Sequence, residues 1–251
     1  VPSRQGDYVE SPLGRGGYSE DYPADVAAPV SLLAGCGSGQ VESSLYELLV
    51  ILPVIMCKAP VPGQVKTRLF TAYTQEEAVE IHRAMATTVI QRVARMFPHA
   101  WLAVDDMLHP FFRSFALKVV AQGEGDLGER MTRLLSMAFR ENMAGLLFLG
   151  TDSPHMPESR IDQAVLALSE AEVVLGPVED GGYDLIALSG PFRAVFCDID
   201  WGTDRVASQT VERATQSGLK TRLLETGFDV DVSGDMLRAR RAGWSEAKRW
   251  L

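Results

Sequence analysis

Four places in this chain carry residue types able to handle a phosphorylated ligand. The first is Lys58-Ala59-Pro60-Val61-Pro62-Gly63 followed by Lys66-Thr67-Arg68. Two prolines and a glycine shape a turn directly after an apolar run. Two cations within three residues then suit a diphosphate, because arginine offers a planar fork and lysine a point charge. An isolated Lys-x-Arg is by default a solvated surface pair; its position behind the first strand is what favours binding. The segment is not a Walker loop, and no Gly-x-Gly-x-x-Gly follows a strand, so a dinucleotide-binding Rossmann site is not expected.

The second place is Gly150-Thr151-Asp152-Ser153-Pro154, just past another apolar run. A carboxylate there suits a hard divalent cation that also touches phosphate oxygens; the competing reading is an Asp turn or a helix N-cap. The third is Asp229-Val230-Asp231. We expect only one of its two carboxylates to face the site, on strand-like alternation, and favour Asp231 as the second metal ligand; the alternative is that Asp231 or Ser233 caps a helix. The fourth is Glu179-Asp180-Gly181-Gly182-Tyr183. Its paired glycines permit a tight turn or a close backbone approach. Asp180 on that turn is placed to act as a general base or to orient an acceptor, against the plainer reading of a turn joining two strands.

Histidines add little. His82 falls on a helix, His99 and His109 adjoin prolines, and His155 near Asp152 reads as a solvated loop residue. No His/Cys spacing suggests zinc, and no Gly-x-Ser-x-Gly suggests a serine hydrolase.

These residues need a frame. Leu48–Cys57 reads as a buried strand, and further strands are expected at Ala100–Val104, Leu117–Ala121, Gly145–Leu149, Val173–Leu175, Tyr183–Leu188 and Arg222–Leu224, with Tyr183–Leu188 antiparallel. Helices are expected from a capping box at Thr74, from Asp126, from about Glu158 to Leu168, from a Thr203 cap to about Gln216, and from Ser233. Strands separated by single helices imply crossovers and a mostly parallel sheet covered by helices. Ligands on such a sheet bind outside the carboxyl ends of its strands, which is where the four motifs fall.

Composition narrows the classes. The chain has 251 residues, 46% of them hydrophobic, and a formal net charge of −9. The acidic balance argues against a nucleic-acid-binding module. The longest apolar run, Leu48–Cys57, is about half of what a membrane helix needs. Residues 1–44 are rich in Gly, Ser, Pro and Asp without helical or strand period, and read as a flexible extension, with 45–251 forming one α/β domain. Leu33-Ala34-Gly35-Cys36 has the local look of a lipoprotein cleavage site but lacks the basic start and long apolar stretch that a signal requires. The three cysteines, Cys36, Cys57 and Cys197, cannot all pair and read as reduced thiols, which points to the cytoplasm.

Taken in order, these stretches resemble the small bacterial GT-A-type glycosyltransferases associated with selenium-domain or arsenosugar-biosynthesis loci, which are similar to molybdenum-cofactor and phospholactate nucleotidyltransferases. The resemblance rests on Lys58–Gly63 with Lys66-Thr67-Arg68-Leu69, Gln122-Gly123 with Gly125–Met131, Gly150–Pro154, Leu175-Gly176-Pro177 with Glu179–Tyr183, Trp201 with Thr203-Asp204, and Asp229–Asp231. It implies a nucleotide-diphospho-sugar transferase fold. It also implies a nucleotide held by Lys58, Ala59, Pro60, Gly63 and Gly123 with Lys66 and Arg68 near its phosphates. Asp152 and Asp231 would hold Mg²⁺ or Mn²⁺. Asp180 would act on a small-molecule acceptor bordered by Glu179, Gly181, Gly182 and Tyr183. The final motif departs from the family's usual Thr-Pro-Glu-Asp-Leu, reading Val232-Ser233-Gly234-Asp235-Met236 here. The activity implied is transfer from a nucleotide sugar; nucleotidyl transfer with release of pyrophosphate, or nucleotide binding without turnover, are the alternatives.

Overall fold

Apolar side chains alternate along the central strands of this protein and face two separate cores, so its sheet must be covered on both sides. A computed structural model describes residues 51–141 and 143–251. The described residues all lie in one unit, Gly37–Leu251. The expectations for residues 1–44, including Leu33–Cys36, and for the start of the first strand at Leu48 lie outside the described residues.

The strands are β1 (Ile51–Cys57), β2 (Trp101–Val104), β3 (Lys118–Ala121), β4 (Gly145–Leu149), β5 (Val173–Pro177), β6 (Tyr183–Leu188) and β7 (Thr221–Leu223). They form one sheet in the order β3-β2-β1-β4-β6-β5-β7. Every pairing is parallel except those of β6, which runs antiparallel to β4 and β5. The helices are α1 (Gln75–Met96), α2 (Leu127–Arg140), α3 (Glu158–Ala167), α4 (Val206–Gln216) and α5 (Ser233–Arg241), with short 3₁₀ segments that include Thr67–Thr71.

Ile55, Leu102, Leu147, Val174 and Ala187 point to one face, where Val89, Ile90 and Val93 of α1 and Ile161 and Ala164 of α3 cover them. Their neighbours Val54, Ala103, Phe148, Val173 and Ile186 point to the other, against Met131, Leu134 and Ala138 of α2 and Ala214 of α4. This period of two is what a strand buried on both faces requires. A third cluster lies apart from the sheet. It joins Leu69 of the 3₁₀ segment, Ala78, Ile81 and Met85 of α1, Val230, and Met236 and Ala239 of α5.

Local signals set most helix starts. Thr74 Oγ1 accepts from Glu77 N while Thr74 N donates to Glu77 Oε2, closing the capping box of α1. Asp126 and Glu129 do the same for α2. Thr203 is a correction. The helix begins at Val206 with Arg205 at the cap, and Thr203 Oγ1 donates to the Asp200 carbonyl instead, stabilising the turn before it. Among the described residues no helix is long and apolar enough to cross a membrane.

Candidate functional site

The carboxyl ends of β1 to β5 and the start of β6 share one edge of the sheet; the motifs at Lys58, Gly150 and Glu179 leave from it, and Asp229–Asp231 returns to it through Val230 N, which donates to the Asp152 carbonyl. After β1 the chain enters 58–66. Ala59 N donates to Asp105 Oδ1 at 2.6 Å, and the Lys58 carbonyl accepts from His82 Nε2 at 3.0 Å, so the ends of β1 and β2 and helix α1 all grip the loop's entry. Ala59 and Pro60 are buried, while Lys58 and Gly63 are exposed. Gly63 turns at φ +77, and Lys66 itself sits in the left-handed region at φ +48. A non-glycine residue there carries about 1 kcal/mol or more of strain, which the burial of Leu69 three residues on helps to offset.

That backbone delivers Lys66 to the centre of the site. Its Nζ lies 2.8 Å from Asp152 Oδ1, 3.0 Å from Asp231 Oδ1 and 2.7 Å from the Val230 carbonyl oxygen. The side chain is only 5% exposed. Arg68 reaches the same carboxylate from outside, with Nη1 3.0 Å from Asp231 Oδ2 and 64% of its side chain exposed. The two expected phosphate-binding cations and the two expected metal-binding carboxylates therefore meet in one cluster. Asp152 caps no helix, since α3 starts after Pro157. Nor does Asp231 cap α5, because Asp235 Oδ2 accepts from Asp231 N and Val232 N instead.

Charge states follow from this pairing. Burial alone would lower the Lys66 ammonium, but Asp152 and Asp231 outweigh it and raise its pKa above the usual lysine range. Desolvation by the surrounding loops would raise the Asp152 carboxyl; the Lys66 ammonium beside it holds it below the usual carboxylate range.

The segment Asp229-Val230-Asp231 corrects the expectation that one carboxylate faces the site. Residues two apart in an extended chain share a face. Val230 is fully buried in the third cluster, Asp231 meets Lys66, and Asp229 meets Ser153, the neighbour of Asp152. Ser153 Oγ lies 2.5 Å from Asp229 Oδ1 and 3.0 Å from the Phe228 carbonyl oxygen. Val230 N donates to the Asp152 carbonyl at 2.9 Å, locking the two carboxylate-bearing segments together. Burial and the neighbouring Asp152 carboxylate push the Asp229 carboxyl up to about 7.

Asp180 occupies the turn between β5 and β6. Its Oδ1 accepts from Gly182 N at 2.9 Å, and no hydrogen bond or ion pair among the described residues joins it to Lys66, Asp152 or Asp231. Gly181, at φ +85, is pressed against the Asp204 backbone; a Cβ there would lie 2.0 Å from the Asp204 carbonyl oxygen. Glu179 N donates to the Gly227 carbonyl, and its carboxylate takes both Nη atoms of Arg238 at 3.0 and 2.7 Å. The turn is thus tied to the segment that carries Asp229 and Asp231. Tyr183 faces the core beneath α4, and burial pushes its hydroxyl up out of the ordinary range.

Gly123, at φ +81, is exposed beside Gln122 at the end of β3. Gln122 Nε2 donates to the Cys57 and Ala103 carbonyls, bridging the ends of β1 and β2. Sequence reasoning passed over this anchoring role and that of Asp105. Asp105 follows β2 as Asp152 closely follows β4, so the carboxylate-after-strand signal was present for both. His155 is also corrected: it is not a solvated loop residue. Its ring stacks on Phe228 with centroids 3.8 Å apart, and burial beside Arg92 and Arg238 lowers its pKa to about 4. Cys57 is 1% exposed, with its thiol pushed upward by burial, which makes it inert.

The donor set decides what ion the cluster suits. Among the described residues no three His, Cys, Asp or Glu side chains converge to form a metal cage. Asp152 and Asp231 do supply two hard oxygens within 3.0 Å of a single point. Magnesium takes one or two carboxylates and completes its shell with water and phosphate oxygens. The residues fit Mg²⁺ or Mn²⁺ held jointly with a phosphorylated ligand, and do not fit an ion held by protein alone.

Residues 69–203 match the family described as an uncharacterized protein conserved in bacteria, DUF2064. The chain belongs to this family. The DUF2064 match includes Asp152 and the Glu179–Tyr183 turn; Lys66, Arg68 and Asp231 lie outside it and are joined to it by geometry. No curated protein matches the chain. Among solved structures, it is similar to a candidate nucleotide-diphospho-sugar transferase from Desulfovibrio desulfuricans G20, at 27% identity over 80% of this chain and 94% of that one, with a TM-score of 0.72. It shares its fold with 4-diphosphocytidyl-2C-methyl-D-erythritol synthase from Anaerococcus prevotii, at 12% identity over 79% and 97% of the two chains and a TM-score of 0.52. It likewise shares the fold of CMP:2-keto-3-deoxy-manno-octonic acid synthetase in complex with CTP, at 12% identity over 78% and 99% and a TM-score of 0.51. The DUF2064 chain therefore has the nucleotide-diphospho-sugar transferase fold.

Proposed function

We propose that the protein is a metal-dependent glycosyltransferase that takes a nucleotide-diphospho-sugar donor and a small-molecule acceptor. The observation that carries this is the meeting of Lys66, Arg68, Asp152 and Asp231 at the carboxyl edge of the sheet, on the fold of the Desulfovibrio protein. Asp152 and Asp231 would hold Mg²⁺ or Mn²⁺, which when bound neutralises charge on the diphosphate leaving group. Lys66 and Arg68 share that charge by donating to phosphate oxygens. The 58–63 loop and Gly123 border the nucleotide. Asp180, on its turn, orients or deprotonates the acceptor hydroxyl beside Glu179, Gly181 and Gly182.

A nucleotidyltransferase would use the same cations and carboxylates on a triphosphate, and the CTP-bound structure that shares this fold keeps that reading in view. Thermal unfolding with UDP-, GDP-, ADP- and CDP-sugars and the four common triphosphates, each with and without Mn²⁺, separates the two. A ligand at a hundredfold excess over Kd stabilises the folded state by about 2.7 kcal/mol. The expected result is a metal-dependent shift with one nucleotide sugar that disappears in Asp152→Asn. A shift confined to one triphosphate would favour nucleotidyl transfer, and no shift with any ligand would overturn the reading.

A further inference from the structure

The ion pairs of the Lys66 cluster match cation for carboxylate. Two cations, Lys66 and Arg68, face two carboxylates, Asp152 and Asp231, while Asp229 is engaged with Ser153. A divalent ion entering alone would add two positive charges beside a sequestered ammonium. A polyphosphate entering alone would add several negative charges beside two carboxylates. Entering together, the two offset each other and change the charge of the cluster least.

Geometry singles out Lys66 as the group that must move. Its Nζ occupies the one point that both carboxylates address, with a third acceptor in the Val230 carbonyl. The flanking backbone is fixed, because Leu69 and Val230 are fully buried in the same cluster. The four-carbon stem is not, so the ammonium can swing while the backbone stays in place. Arg68 is different: it holds only the outer oxygen of Asp231 and is largely exposed.

We propose that the Lys66 ammonium holds the cation position in the ligand-free protein, so that a divalent metal and a nucleoside polyphosphate enter as a pair, with Lys66 passing from the carboxylates to the phosphates. This rests on the metal–diphosphate reading above. It makes the ligand of the site the metal–polyphosphate complex rather than either component. Free metal is rejected by the resident ammonium, while free nucleotide can draw Lys66 away only by leaving Asp152 without its ion-pair partner.

Mn²⁺ binding to the full chain, read by electron paramagnetic resonance without any nucleotide, tests the idea. Wild type should bind Mn²⁺ weakly, and Lys66→Met should bind it about tenfold tighter or more, because the position is vacated and the carboxylates are unpaired. Arg68→Gln removes the same charge but leaves the ammonium in place, and should gain much less. Lys66→Met binding no tighter than wild type, or Arg68→Gln gaining as much as Lys66→Met, would overturn the proposal. Should Lys66→Met fail to fold, wild type alone suffices. Thermal shifts with Mn²⁺ plus UDP, GDP, ADP or CDP should exceed the sum of the separate shifts for at least one nucleotide; purely additive shifts would overturn it. The Mn²⁺ comparison uses no donor sugar, so it holds or fails independently of turnover.

Discussion

At the scale of single residues, the site is built from side chains whose neighbours in sequence are core anchors. Lys66 and Arg68 stand before the buried Leu69, and Asp229 and Asp231 flank the buried Val230. Packing fixes the anchors, and with them the backbone positions from which the polar side chains depart. Gly181 shows the same economy at a turn. Its φ of +85 and its contact with the Asp204 carbonyl leave no room for a Cβ. Gly181→Ala should cost about 3 kcal/mol of stability in denaturant unfolding. Gly234→Ala on α5, where a Cβ meets nothing within 4 Å, serves as its control and should not destabilise. Equal effects from the two substitutions would show that the Asp204 contact is not what demands glycine.

Among the elements, one buried ion pair sets how the late strand segment sits. Arg160 of α3 donates Nε and Nη2 to the two Asp184 oxygens at 2.9 and 3.1 Å; Nη1 donates to the Glu225 carbonyl, and Nη2 also reaches the Pro177 carbonyl. Asp184 in turn accepts from Gly150 N through its backbone, so the pair links α3, β6, the end of β4 and the approach to Asp229. Gly176 and Gly227 border the pair, and a Cβ at either would crowd it. Burial pushes the Asp184 carboxyl up to about 6 in spite of Arg160. A carboxyl raised above its unfolded value binds its proton more readily in the folded state, so stability falls as pH rises through the window from about 4 to about 6. Arg160→Gln leaves the charge buried and unpaired, and should cost about 3 kcal/mol near pH 8. It should cost clearly less near pH 5, where Asp184 takes up its proton; urea melts at the two pH values check this. A deficit that is the same at both would rule out the unpaired carboxylate as its cause.

The elements themselves were largely legible. Gly145–Leu149 and Tyr183–Leu188 lie where expected, the latter antiparallel, and the capping boxes at Thr74 and Asp126 open their helices. Strand period and side-chain capping are local properties, written in a few adjacent residues. Thr203 misled because it makes its bonds to Asp200 and Arg205 within a turn, and a hydroxyl's choice of local partner is not visible in residue type. Both Asp229 and Asp231 facing the site was in principle legible, since residues two apart share a strand face. Arg160 with Asp184, Gln122 with Cys57 and Ala59 with Asp105 were not, because each joins residues more than twenty positions apart.

Across the whole molecule, the sheet order explains why a site spread from Lys58 to Asp231 is one place. Placing β1 between β2 and β4, and β6 between β4 and β5, gathers the loops of the central strands on a single edge. The third cluster then folds the 3₁₀ segment and α5 against α1, closing Lys66 onto Asp152 and Asp231. On the proposed reading, this concentration of charge around one point at the carboxyl edge would stabilise a departing diphosphate. The most direct test is product analysis of the full chain with Mn²⁺, supplied in parallel with nucleotide sugars and with triphosphates, using water as a slow acceptor. The predicted result is release of a nucleoside diphosphate from one nucleotide sugar, dependent on the metal and reduced about a hundredfold or more in Asp152→Asn. Release of pyrophosphate from a triphosphate, with no nucleoside diphosphate from any sugar donor, would contradict it.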